Sequence, residues 1–178
     1  MFYKGARLIR RPIYVRGKRF LKYGEGFTTE YNCRLEIFDT GIGEDKKLII
    51  GKNCKIGNCV HIASGEKVTI GDNCLMAYKV YISDINHGDY SGIFEYSSPD
   101  VPPDNRPLYT KPVFIGNNVW IGENVCILPG VKIDDGCIIG ANSIVNKNVS
   151  NNCIIAGSPA KVIKKWDADK NVWIKQMY

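Results

Sequence analysis

Long apolar runs are missing from this chain: nowhere do about 18 apolar residues follow one another, and no N-terminal stretch joins a charged start to an apolar segment of about 7–15 residues. Neither a membrane span nor a signal peptide is readable, so a cytoplasmic protein is expected. Cysteines occur at 33, 54, 59, 74, 126, 137 and 153, an odd number without a Cys-x-x-Cys pair; this fits reduced thiols and not a disulfide framework. Histidine is scarce, with His61 and His87 the two present. Acidic residues are absent before Glu25, whereas residues 1–24 carry Lys4, Arg7, Arg10, Arg11, Arg16, Lys18, Arg19 and Lys22. Of 24 Lys and Arg, eight fall here and 16 in the rest, which holds all 18 Asp and Glu, so the formal charge of +6 belongs to this arm. The arm reads either as solvated surface or as a docking element for something anionic. A lipid surface, worth roughly 1 kcal/mol per basic residue, and a phosphorylated glycan carrier are the partners considered. Nucleic acid is not expected, since the body is slightly acidic and no recognised binding motif occurs.

What the chain does contain is a repeat. With 178 residues, 44% of them hydrophobic, it forms one domain over 1–178. Apolar residues head hexads at Ile50, Ile56 and Ile62, at Ile70, Met76 and Ile82, and after a gap at Ile115, Ile121, Ile127, Ile133, Ile139 and Val145. The residue after the leader is Gly, Ala or Ser in nine of these twelve, and the fourth after it is Val, Cys or Ser in ten, including Cys54, Cys74 and Cys137. Neither a 3.6-residue stripe nor two-residue alternation yields a strict period of six; a short strand plus a tight corner does. Three hexads close a triangular coil whose leaders point inward and stack about 4.8 Å from those of the next coil, strand pairing with strand in parallel. The predicted class is all-β, a parallel β-helix over 25–159. Ile50 to Ile70 spans 20 residues, which predicts a two-residue bulge at a corner near Gly65–Lys67. Residues 20–49 read as an earlier, degenerate coil, with Phe27, Cys33 and Ile37 as candidate inward positions. Residues 83–114 interrupt the period without disturbing the register that resumes after them. They predict an extruded loop, which on a rigid solenoid is more often functional than idle. Beyond Ala156-Gly157-Ser158-Pro159, the spacing of Val162, Ile163, Trp166, Trp173 and Ile174 predicts a short amphipathic helix over 160–178 that covers the last coil's open edge.

From about Leu48 to Trp166 the chain resembles the hexapeptide-repeat acyltransferases, especially sugar O-acetyltransferases of the maltose and galactoside acetyltransferase type. Besides the repeats, the resemblance is carried by Asp84-Ile85-Asn86-His87, by the run Pro112 to Gly122, by Leu128-Pro129-Gly130-Val131 and by Ala156 to Ile163. It implies a left-handed β-helix, an exception to the right-handed crossover rule. The stretch Arg10-Arg11-Pro12-Ile13-Tyr14-Val15-Arg16-Gly17 resembles the start of members that modify capsule, exopolysaccharide or O-antigen units, and departs from the helical N-terminus of the maltose and galactoside enzymes. The implied activity is acetyl transfer from acetyl-CoA to a sugar hydroxyl, in a homotrimer with sites between subunits.

Transfer from a thioester to a hydroxyl needs a base, and histidine titrates near working pH. His87 stands where the chain leaves the wall for the extruded loop, and the resemblance makes it the general base. His61, directly before an inward leader, reads as an outward surface or cleft-wall residue. Asp84 and Asn86 read equally as turn residues or as groups that orient His87 or bind acceptor hydroxyls. Trp120, Gly122, Glu123, Ala141 and Asn146 match positions along the acyl donor. Lys161 and Lys164 match positions facing its nucleotide phosphates, where the family more often has arginine. No metal is expected: the γ-type carbonic anhydrases share this fold but need three histidines on zinc, and two cysteines of a Cys54, Cys59, His61 and Cys74 group fall on inward repeat positions. An antibiotic acetyltransferase and a non-enzymatic structural β-helix are the competing functions.

Overall fold

The computed structural model describes residues 4–43, 45–92 and 96–176; residues 1–3 of the arm, 44, 93–95 of the loop and 177–178 lie outside that range. Short strands stack into three walls. The first wall runs Leu8–Ile9, Thr28–Thr29, Lys55–Ile56, Leu75–Met76, Trp120–Ile121, Ile138–Ile139 and Cys153–Gly157. The second runs Ile13–Arg16, Cys33–Ile37, His61–Ser64, Tyr81–Ser83, Cys126–Ile127 and Ile144–Val145. The third runs Leu21–Tyr23, Leu48–Ile50, Val68–Ile70, Val113–Ile115 and Lys132–Ile133. The chain visits them in rotation, so each turn of a triangular prism is one coil, and within each wall these strands pair in parallel.

All twelve hexad leaders are buried. They fall into register as expected: Ile50, Ile70, Ile115 and Ile133 on one wall, Ile56, Met76, Ile121 and Ile139 on another, and Ile62, Ile82, Ile127 and Val145 on the third. The small residue after the leader is a packing requirement. A Cβ on Gly71 would stand 2.7 Å from the backbone of Gly116 in the next coil. Phe27, Cys33 and Ile37 are buried, but the leader positions within residues 20–49 are Tyr23, Thr29 and Leu35, opposite Ile50, Ile56 and Ile62.

Two boundaries differ from expectation. Residues 8–23 are no free arm: they form the first coil, paired strand for strand with the second. Their charge, segregated along the sequence, is partly neutralised in space, because Arg10 meets Glu30 at 2.8 Å and Arg19 meets Asp39 at 2.5 Å. The C-terminal segment is no helix either. Ala160–Asp167 turns back antiparallel on Cys153–Gly157, and Val172–Lys175 pairs with it in turn. A register shift falls between Ile154 and Ile155, so Ile163 is an extra residue between Val162 and Lys164. One extra residue in a strand breaks period two, which gives Val162, Ile163 and Trp166 their helix-like spacing.

The coils differ most at the corner between the second and third walls. It is a short turn at 17–20 in the first coil and a longer crossing at 38–47 in the second. In the third it is the predicted bulge at 65–67, and in the fourth an excursion from 84 to 112. Lys47, buried in the second crossing, donates from Nζ to Thr40 Oγ1 at 3.0 Å, the Ile42 carbonyl at 2.7 Å and the Gly65 carbonyl at 2.8 Å, pinning that crossing to the bulge above it.

Candidate active site

The extruded segment begins as a hairpin. Ile85–His87 pairs antiparallel with Leu108–Thr110, placing Ile85 opposite Thr110, Asn86 opposite Tyr109 and His87 opposite Leu108. Opposed residues share a face and successive ones alternate. The face of Ile85 and Thr110 lies on the third coil, where a Cβ on Gly65 would meet both side chains at 3.0 Å. Thr110 Oγ1 also donates to Glu66 Oε2 at 2.8 Å. His87 and Leu108 continue that face one step further out, and Leu108 lines a cleft of about 560 Å³ over the corners of the first two coils. The His87 side chain is exposed.

The hairpin's outer end is held by its own loop. The Tyr90 hydroxyl donates to the His87 carbonyl at 2.5 Å and accepts from Arg106 Nη1 at 2.6 Å, while Arg106 Nε donates to the Val101 carbonyl at 2.8 Å. Gly88 has φ 105° and no room for a side chain, since a Cβ would stand 2.7 Å from Ser97 Oγ and 2.8 Å from the Tyr90 hydroxyl. An Asn-His-Gly run is thus the sequence mark of this turn.

Of the two readings open for Asp84, the local structural one fits its contacts. Its carboxylate is fully buried and accepts from the backbone N–H groups of Gly65 at 2.7 Å, Glu66 at 2.9 Å and Lys67 at 2.6 Å. Burial pushes its carboxyl up, while these donors and Ser64 pull it down; the net direction is up. It closes the bulge, and neither orients His87 nor faces an acceptor. Asn86 is exposed on the hairpin face opposite to His87, so strand alternation removes it as an orienting group too.

His61 points outward, as read from the repeat, in the second wall's row of Tyr14, Arg34, His61, Tyr81, Cys126 and Ile144. Its Nε2 lies 2.9 Å from Glu36 Oε2, and Arg34 Nε lies 2.7 Å from the same oxygen. Burial, the largest single influence, pushes the Glu36 carboxyl up, but Arg34 and His61 together outweigh it and hold it below its ordinary value. Sequence reasoning missed this pair of partners because they sit in the degenerate second coil.

The remaining expected residues lie elsewhere on the prism. Trp120 is half-exposed on the first wall, stacked between Leu75 and Ile138. Gly122, Glu123 and Ala141 occupy the corner between the first and second walls, with the Asn142 N–H donating to the Glu123 carbonyl at 2.8 Å. Asn146 follows Val145 at the second wall's far edge. Lys161 and Lys164 are exposed on the first C-terminal strand, opposite Ala156 and Ile154. Within one chain, Trp120, Gly122, Glu123 and Ala141 are separated from His87 by the width of the second wall.

Comparison with known proteins agrees with this architecture. The family model for bacterial transferase hexapeptide (six repeats) matches residues 112–147. The Escherichia coli (strain K12) protein provisionally named lipopolysaccharide biosynthesis O-acetyl transferase WbbJ is 43% identical over 175 residues, covering 98% of this chain and 87% of that one. A galactoside acetyltransferase solved in complex with coenzyme A is 27% identical, with a TM-score of 0.52 over 97% of this chain and 72% of that one. AntD, an N-acyltransferase from Bacillus cereus solved with dTDP and 3-hydroxybutyryl-CoA, shares the fold at 21% identity, with a TM-score of 0.73 over 93% of this chain and 84% of that one.

Proposed function

Because the chain belongs to the bacterial hexapeptide-repeat transferases, left-handed parallel β-helix acyltransferases, we propose that it moves the acetyl group of acetyl-coenzyme A to a hydroxyl of a sugar unit of a surface polysaccharide. The observation that carries this reading is the setting of His87: the exposed histidine of a hairpin bolted to the wall, sharing its face with the rim of a cleft. His87 removes the proton of the acceptor hydroxyl as the new C–O bond forms at the thioester carbonyl. When the tetrahedral adduct collapses and the C–S bond breaks, the proton held by His87 passes to the departing sulfur.

The donor lies along Trp120, Gly122, Glu123 and Ala141, with Asn146 beside its pantetheine arm and Lys161 and Lys164 toward its phosphates. These groups stand on a different edge of the prism from His87, which supports a homotrimer in which neighbouring copies complete each site. Leu75, Phe114, Trp120 and Ile144 are exposed apolar side chains that such an assembly would bury. All seven cysteines are unpaired thiols, which supports a reducing, cytoplasmic location.

The test is thiol release from acetyl-coenzyme A with a panel of sugars, on wild type and on His87→Ala. The variant is expected to keep its melting temperature and to lose roughly 10²–10⁴-fold in kcat/KM, the usual contribution of a positioned base. Wild-type turnover in the folded variant would remove His87 from the mechanism.

A further inference from the structure

We propose that the cleft between the first two coils binds the phosphate of a glycosyl phosphate acceptor and thereby presents its sugar to His87; this rests on the acetyl-transfer reading above. The cleft is lined by Arg16, Arg19, Phe20, Phe38, Ile42 and Leu108 among others. Three features together point to a phosphate-bearing sugar.

The first is place. Leu108 stands on the cleft and His87 stands opposite Leu108 on the same hairpin face, so the catalytic imidazole borders the cleft's rim. The second is the state of the cations. The Arg16 guanidinium lies 4.5 Å from the centroid of the Phe38 ring, and that of Arg19 lies 4.5 Å from the centroid of Phe20. A guanidinium packed against a ring loses rotamer freedom before any ligand arrives and keeps donor N–H groups for planar, bidentate contact with phosphate oxygens. Lys46, whose Nζ donates to the Arg19 carbonyl, stands with Asp45 at a neighbouring depression that shares Arg19 and Phe20 with the cleft. Asp39 already accepts from Arg19 Nη2 at 2.5 Å, which leaves the Arg16 charge as the one that a ligand anion answers most directly. The third is construction. Gly17, with φ 68°, sits so close to the second coil that a Cβ would stand 2.1 Å from the Ile37 carbonyl oxygen. No other residue allows the turn that brings Arg16 and Arg19 to one corner. Ile42 and Leu108 supply apolar surface for the carbon face of a sugar ring.

The experiment uses the full chain saturated with coenzyme A, so that the donor's phosphate-binding lysines are occupied. Binding of α-D-galactose 1-phosphate and of methyl α-D-galactoside is measured by calorimetry at low and moderate salt, for wild type, Arg16→Gln and Arg16→Lys. Wild type is expected to bind the phosphate with salt-dependent affinity. Arg16→Gln should weaken that binding on the order of ten- to a hundredfold, the span of one charged hydrogen-bonding group. Arg16→Lys should restore part of it, and both variants should keep wild-type affinity for coenzyme A. Absent phosphate binding by the coenzyme-loaded wild type, or equal binding by Arg16→Gln, overturns the proposal while leaving acetyl transfer standing. Arg16-dependent binding to phosphatidylglycerol vesicles without binding of the sugar phosphate also overturns it, by making the cleft a membrane contact. Failure to bind coenzyme A would instead count against the acetyl-transfer reading.

Discussion

At the scale of single residues, two acidic groups beside the histidine segments, Asp84 and Glu36, have structural work. Asp84 sits three residues before His87, yet its carboxylate answers three backbone N–H groups at the bulge of the coil below. Replacing it with Ala would strand those donors in a buried corner, at about 1–3 kcal/mol for each one left unsatisfied. Asp84→Ala is expected to lose about 3 kcal/mol or more, a drop in Tm of roughly 6–12 °C for a chain of this size. Asp84→Asn should fall between the two, because one oxygen can still accept while its amide N–H₂ faces other donors. A thermal melt of both variants checks this, and an unchanged Tm would show that the N–H groups find other partners. Glu36 binds His61 and Arg34 on the outer face of the second wall, which accounts for His61 without a catalytic part.

At the scale of elements, the C-terminal hairpin closes the open end of the solenoid. Its first strand takes the hydrogen bonds of Cys153–Gly157, and Trp166 meets Trp173 edge to face at 5.4 Å between ring centroids. The strand that then becomes the outer edge carries Lys175, beside Lys164 and Lys165 on its neighbour. Charged side chains on an edge discourage pairing with another chain. Deleting residues 160–178 uncovers Cys153–Gly157, whose neighbours in the coil below are already satisfied. The truncated chain is expected to keep its β-sheet circular dichroism and to self-associate with rising concentration. Light scattering checks this, and a monodisperse truncation at high concentration would show that the last coil needs no cover.

At the scale of the whole molecule, the residues proposed for the base and for donor binding stand on separate edges of the prism. His87 projects from the corner between the second and third walls, whereas Trp120 belongs to the first wall and Gly122 to its junction with the second. A thioester carbonyl must come within bonding distance of the acceptor oxygen, so groups that bind the donor and the base that activates the acceptor must converge on one point. Three prisms packed around an axis bring unlike edges together. Sedimentation is therefore expected to give a mass three times that of the 19.9 kDa chain. Trp120→Ala should weaken both the trimer and coenzyme A binding. A monomer with full activity would require a different route between the edges.

Much of this was readable from the chain. A period of six is a one-dimensional signal, and a side chain that must point inward at every third of a coil leaves an apolar residue there whatever its neighbours do. For that reason the leaders from Ile50 to Val145, the bulge at Gly65–Lys67 and the excursion carrying His87 were legible without coordinates. Other features rest on relations between residues far apart in sequence. The first coil keeps the spacing of six from Ile9 to Val15 but then runs eight residues to Tyr23, and it is held as a coil by pairing with the second, so on sequence alone Arg16 and Arg19 belonged to a basic arm. The one-residue bulge at Ile163 gave a strand the spacing of a helix, and the open edge of the last coil decided the matter. The side of the hairpin on which Asn86 lies, the burial of Asp84 and the cleft shared by Leu108 and the first coil depend on strand register and corner stacking. Those are set by which backbone groups find partners across coils, and no local pattern encodes that choice.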